Sequence, residues 1–185
     1  MTLIDVLDEK GNPIGEAKTK LEIHEKGLWH AASHVWIFNP RGEILLQLRS
    51  KDKDSFPGLL DISAAGHIDS GETPLIAAIR EIGEEIGLSV KQESLNLIDR
   101  RIVSVPIPEI GWQNNEIDYV YLYQFNDDFD ELSTPDGEVE KLEFIPISKL
   151  EKDISNPETY KKYVPHGDYY REVINAVKKH LDKGK

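Results

Sequence analysis

The chain of 185 residues contains no cysteine. That excludes disulfides, thiolate metal sites and a cysteine nucleophile, and it fits a reducing compartment. No apolar run approaches the ~20 residues needed to span a bilayer. The opening stretch, MTLIDVLDEKGNPIGEAKTK, lacks a basic start followed by an apolar core, so it is not read as a secretory signal. A cytoplasmic protein is expected. Basic residues are in deficit, with 22 Lys and Arg against 34 Asp and Glu and a formal net charge of −12. An acidic protein does not draw a phosphate backbone over long range, so neither duplex nucleic acid nor a membrane is an expected partner. Small phosphorylated substrates stay open, because a bound divalent cation inverts the local potential. Repeats, low-complexity tracts and linkers are also missing. The length suits one good core, so residues 1–185 are read as one domain. A homodimer is left open.

What is present is a series of short strands and helices. Alternation over Leu3 to Leu7, a turn at Asp8 to Pro13 and a second short strand predict an N-terminal hairpin. Leu21 to Gly27 reads as a short connection. Ala32 to Phe38 and Glu43 to Arg49, joined by Asn39-Pro-Arg-Gly42, read as a second hairpin. Further strands are predicted over Leu60 to Ala65, Leu95 to Val105, Glu116 to Phe125 and Val139 to Phe144. A helix is predicted from about Thr73 to Ile86, a short one opening at Ser148 and a last one from Asp168 to Leu181. Thr73 suits the N-cap, Pro74 the first helical position and Gly87 a left-handed end. Leu75, Ile76, Ile79, Ile82 and Ile86 supply an apolar stripe. Strands and helices in this order predict a layered α/β (α+β) fold.

The most informative segment is GHIDSGETPLIAAIREIGEEIGL, from Gly66 to Leu88. Glu81, Glu84 and Glu85 stand at i, i+3 and i+4, so they share one helical face. Like charges at that spacing repel, and a bound cation relieves the repulsion. Carboxylate oxygens are hard ligands that suit Mg²⁺ or Mn²⁺.

This segment resembles the signature of the Nudix hydrolases at every fixed position: Gly66, Glu72, Arg80, Glu81, Ile82, Glu84, Glu85, Gly87 and Leu88. The resemblance implies a mixed sheet sandwiched between helices and hydrolysis of a diphosphate bond in a nucleoside diphosphate derivative or a similar small metabolite. It implies a metal held by Glu81, Glu84, Glu85 and the carbonyl of Gly66. Candidate catalytic residues are then Glu81, Glu84, Arg80 and Glu116. The general base is either Glu81 or Glu116. Arg80 is read as a clamp that pairs with Glu72 or Glu84.

A closer resemblance covers most of residues 1–147. Leu28-Trp-His-Ala-Ala-Ser-His34, Phe56-Pro-Gly58, Gly66-His67 and Asn115-Glu116 are similar to isopentenyl-diphosphate isomerases of the same superfamily. Those enzymes hold a divalent metal at positions matching His30, His67 and Glu116. Their essential cysteine falls at Ala65, and one of their metal glutamates falls at Asn114. Basic residues of these relatives that face the diphosphate match Arg49, Lys51 and Lys53, so Arg49, Lys53 and His67 are the candidate substrate-binding residues. Trp112 and Tyr119 are candidates for stacking a base or covering an apolar tail. The alternatives to a hydrolase are an isomerase of prenyl diphosphates and a non-catalytic nucleotide-binding module.

Overall fold

The structure, a computed structural model, describes residues 2–183; Met1, Gly184 and Lys185 lie outside it. In chain order it runs β1 (Ile4–Leu7), β2 (Pro13–Lys18), α1 (Lys20–Glu25), β3 (Trp29–Phe38), β4 (Glu43–Arg49), β5 (Leu60–Asp61) and β6 (Ala64–His67). Then come α2 (Pro74–Glu81), β7 (Asn96–Ile107), β8 (Trp112–Gln124), β9 (Val139–Pro146), α3 (Ile147–Ile154), α4 (Pro157–Tyr160) and α5 (Tyr169–Lys183).

β3 is the central strand. It runs parallel to β8 from Trp29 opposite Asn115 to Phe38 opposite Gln124, and antiparallel to β6 with Ala32 opposite His67. Both faces of β3 are covered, so its sequence is apolar where a half-exposed strand would alternate. Trp36 and Phe38, with Val120 and Leu122 of β8, pack on Tyr170, Val173 and Val177 of α5. Val35 and Ile37 point the other way, onto Ala78 of α2 and Ile82 and Ile86 beyond it. The mixed sheet therefore lies between helices.

Several elements differ from the sequence reading. The segment read as a connection after β2 forms α1. Its start is a capping box, in which Thr19 Oγ1 accepts from the Glu22 amide at 3.3 Å and Glu22 Oε2 accepts from the Thr19 amide at 3.3 Å. β3 and β4 meet only at Phe38 opposite Ile44, and the long ladder of β4 is with β9. Ser63 separates the two strands: its hydroxyl accepts from the Ile37 amide at 2.8 Å and donates to the Leu45 carbonyl at 2.6 Å. The same wedge splits the predicted strand Leu60 to Ala65 into β5, which pairs with β4, and β6, which pairs with β3.

Thr73 caps α2, accepting from the Ile76 amide at 3.3 Å, and Pro74 occupies its first turn. The helix is α only to Glu81; Ile82–Ile86 continue as one π turn, ended by Gly87 at φ 72°. Ile76 is exposed, and the face against the sheet is built from Ala77, Ala78, Ile82 and Ile86. Small alanines at the contact let the helix approach closely, and Ile76 is turned away from it. Among the described residues no helix is long and apolar enough to cross a membrane.

Candidate active site

A cleft of about 1000 Å³ opens where α5 stops covering the sheet. The strand face that is apolar at Trp36 and Val120 becomes polar toward the start of the same strands. There, by the two-residue alternation, His30 and His34 of β3 share a face, and His30 lies opposite Glu116 of β8. Arg80 and Glu81 of α2 and Glu84 of the π turn also line the cleft.

Arg80 joins the signature loop to the helix. Its Nη2 donates to the His67 carbonyl and to Glu72 Oε2, both at 2.9 Å, and its Nη1 donates to Glu81 Oε1 at 2.6 Å and Glu84 Oε2 at 3.0 Å. Gly66 explains the close approach of loop and helix, since a β-carbon there would collide with the Glu81 carboxylate. The three signature glutamates meet different surroundings. Glu84 is half exposed, whereas Glu81 and Glu85 are buried. Burial pushes Glu81 up to about 7; Arg80 opposes the shift, while Glu85 and Glu84 add to it. The π turn aims Glu85 into the sheet. Its Oε2 accepts from Gln47 Nε2 and the Ala65 amide, both at 2.9 Å, and its Oε1 lies 3.4 Å from Lys53 Nζ. Burial also raises Glu85, against the pull of Lys53.

Next to this wall, three imidazoles converge. His24, His30 and His67 bring ring nitrogens within 4.8 Å of one another. His24 Nε2 and His67 Nε2 are 3.2 Å apart, and Glu116 Oε1 lies 3.4 Å from His30 Nε2 and 3.9 Å from His67 Nε2. His30 Nδ1 donates to the Leu28 carbonyl at 3.0 Å, which turns Nε2 inward, where it is buried with no hydrogen-bond partner. Burial lowers His24 to about 4 and His67 to about 3, so both rings are neutral and able to ligate. Burial would raise Glu116, but His30 and His67 hold it well below the usual carboxylate range. Asn114 Nδ2 donates to Glu116 Oε2 at 2.9 Å, leaving the buried Asn114 Oδ1 without a partner. Trp112 stacks on His24 at 4.5 Å and shields it.

Arg49 and Lys53 line the cleft, but each is committed to an internal carboxylate. Arg49 Nη1 pairs with Asp61 at 2.7 Å, and Lys53 pairs with Glu85 and Glu138. Tyr119 lies against Arg100 at 5.9 Å, outside the cleft lining. The sequence reading did not name His24, Asp118, Asp61 or His166. His24 had a signal in the capping box that builds α1 around it. Asp118 had a weaker one, standing two residues after Glu116 on the same strand face. His166, 2.7 Å from Asp61, comes from the loop before α5 and had none.

His24, His30 and His67 have the spacing of a cation site, whereas Glu85 clusters with Asp136 and Glu138 and not with Glu81 and Glu84. The inward, unpartnered His30 Nε2 beside two neutral imidazoles and a carboxylate suits an imidazole-rich site. The oxygen-rich signature group already attracts two cations of the chain itself, Arg80 and Lys53, which stand where charge neutralisation is required.

The family model described as "NUDIX domain" matches residues 28–166. Nudix hydrolase 3 of Arabidopsis thaliana is 35% identical over 169 residues, covering 89% of this chain; the chain spans only 22% of that relative's length. Isopentenyl-diphosphate Delta-isomerase 2 of Photorhabdus laumondii is 31% identical over 177 residues, covering 95% of this chain and 92% of the relative. The crystal structure of DR0079 from Deinococcus radiodurans superposes with a TM-score of 0.67 at 19% identity, covering 94% of this chain and 98% of that one, and shows the shared fold.

Proposed function

The chain belongs to the NUDIX family of hydrolases, and we propose that it cleaves the diphosphate bond of a nucleoside diphosphate derivative, or of a related small phosphorylated metabolite, with Mg²⁺ or Mn²⁺. The observation that carries this reading is the enclosure of Glu81 between Gly66 and Arg80 in the cleft wall, beside Glu84 and Glu85. Glu81, Glu84, Glu85 and the Gly66 carbonyl are the groups that would hold the ion, which supplies charge neutralisation for an approaching diphosphate.

The chain's own residues do the rest. Water attacks one phosphorus, the bridging P–O bond breaks, and the bridging oxygen leaves with the electron pair; the products are two phosphate esters. Glu81 accepts the proton of the attacking water: it lies in the cleft lining, and burial raises its carboxyl to about 7, so it is a stronger base than an ordinary carboxylate. Arg80 fixes the directions of Glu81 and Glu84. Arg49 and Lys53 line the cleft, and a bound diphosphate competes with Asp61 and Glu85 for them.

The His24, His30, His67 and Glu116 group favours a second reading, isomerisation of a prenyl diphosphate. That chemistry requires an acid–base group where this chain has Ala65, whose amide instead supports Glu85. Incubation with Mg²⁺ and a panel of nucleoside diphosphate compounds and isopentenyl diphosphate tests the two. Hydrolysis of a panel member is expected, and isomerisation without hydrolysis would overturn the reading.

A further inference from the structure

Asp118 of β8 and Arg101 of β7 stand directly opposite each other in the ladder, and both line the cleft. Each carries a buried polar atom with no hydrogen-bond partner: Asp118 Oδ1, an acceptor, and Arg101 Nε, a donor. They do not satisfy each other, because Arg101 is drawn aside. Its Nη1 pairs with Glu172, and its guanidinium lies over the Tyr169 ring at 3.8 Å. His34 does not serve Asp118 either. Its Nδ1 is 3.8 Å from Asp118 Oδ2, beyond hydrogen-bond reach, and 3.1 Å from the Tyr169 hydroxyl. Asp118 is only 3% exposed. Buried polar atoms are almost always paired, so two unpartnered atoms of opposite sense on adjacent strands call for one group that both donates and accepts.

We propose that Asp118 and Arg101 form a subsite for a hydroxyl of the group attached to the diphosphate, so that the substrate is a sugar-bearing diphosphate and not a prenyl one. This rests on the hydrolase reading for the reaction and adds what the substrate carries. A hydroxyl accepts from Arg101 Nε and donates to Asp118 Oδ1. A cation would answer Asp118 alone and would be repelled by Arg101. Asp118 stands two residues after Glu116 on the same face of β8, so the subsite adjoins the polar end of the cleft. His166, whose ring lies 5.8 Å from that of Tyr169, brings a further polar group to the same cleft. An apolar tail would leave Asp118 Oδ1 and Arg101 Nε desolvated and unpaired. A site built to bind a hydroxyl rejects an analogue without one for that reason.

The test is calorimetric binding in the presence of Mg²⁺, with Glu81→Gln used to arrest turnover. The probes are UDP-glucose, ADP-ribose and geranyl diphosphate. At least one sugar compound is expected to bind ~10-fold or more tightly than geranyl diphosphate. Adding Asp118→Leu is expected to weaken that binding ~10-fold or more, with circular dichroism and geranyl diphosphate binding unchanged. Asp118→Asn keeps an acceptor oxygen and is expected to lose less. Arg101→Lys keeps the charge without Nε–H and is expected to weaken sugar binding as well. The proposal is overturned if neither sugar compound binds, if geranyl diphosphate binds as tightly as both, or if Asp118→Leu and Arg101→Lys leave sugar binding unchanged. A chain with Glu81 intact that binds a sugar compound through Asp118 without cleaving it upholds the subsite and refutes the hydrolase reading instead.

Discussion

Gly66 and the Glu81 carboxylate are packed so closely that an added β-carbon at Gly66 would lie 2.6 Å from even the farther carboxylate oxygen. Gly66→Ala is therefore expected to swing Glu81 out of place while the sheet survives, because the clash is with a side chain. Displacement of a reacting group by about 1 Å costs ~10²-fold in rate. Steady-state kinetics should show kcat falling on that order, with a smaller change in KM. An unchanged kcat would mean that the position of Glu81 is immaterial.

Arg80 makes hydrogen bonds to Glu72, Glu81, Glu84 and the His67 carbonyl, and its planar fork is what allows them together. Arg80→Lys keeps the charge but supports fewer of these contacts. Lower kcat, a smaller change in KM and a lower Tm are expected. A large rise in KM with kcat and Tm unchanged would make Arg80 a substrate-binding residue instead.

Two donor groups of different chemistry should behave as two sites. Calorimetric titration with Mn²⁺ is expected to resolve both. Glu84→Gln with Glu85→Gln should weaken one site, and His67→Asn the other, each by ~10-fold or more. If the histidine substitution leaves every binding step untouched, the three imidazoles are ordinary hydrogen-bonded side chains.

His34 gives the pH dependence of stability. Burial lowers it to about 4 from an ordinary 6.5, against the pull of Glu116 and Asp61. The folded chain thus prefers neutral imidazole. The stabilisation is complete above the unfolded pKa near 6.5 and is lost as pH falls toward 4, because the unfolded chain then binds the extra proton. The loss is on the order of 3 kcal/mol for this group. Melting curves should show Tm falling between pH 6.5 and 4, less steeply in His34→Gln. Parallel slopes for the two proteins would remove His34 from the explanation.

The parts of this molecule legible in the sequence are those set by local rules. Thr73, Pro74 and Gly87 mark the ends of the signature helix segment because caps and left-handed glycines act on their own neighbours. The strands are legible for the same reason, but their partners are not. Nothing local tells β4 that Ser63 will bond to Ile37 and Leu45 and send it to β9. The π turn that buries Glu85 is likewise a tertiary effect, fixed by Gln47 and the Ala65 amide. The capping box of Thr19 and Glu22 marks the start of α1, but its six residues are too few for an apolar stripe that would orient His24. His166 and Asp61, 105 positions apart, meet only through the fold.

The most direct measurement is phosphorus NMR of the reaction in ¹⁸O-labelled water. Wild-type chain with Mg²⁺ and a nucleoside diphosphate panel is the sample, with Glu81→Gln as comparison. Cleavage of a P–O–P bond, one ¹⁸O atom entering a product phosphate, and a loss of ~10³-fold or more in Glu81→Gln are expected. Absence of P–O–P cleavage across the panel, or equal rates in the two proteins, would contradict a hydrolase built on Glu81.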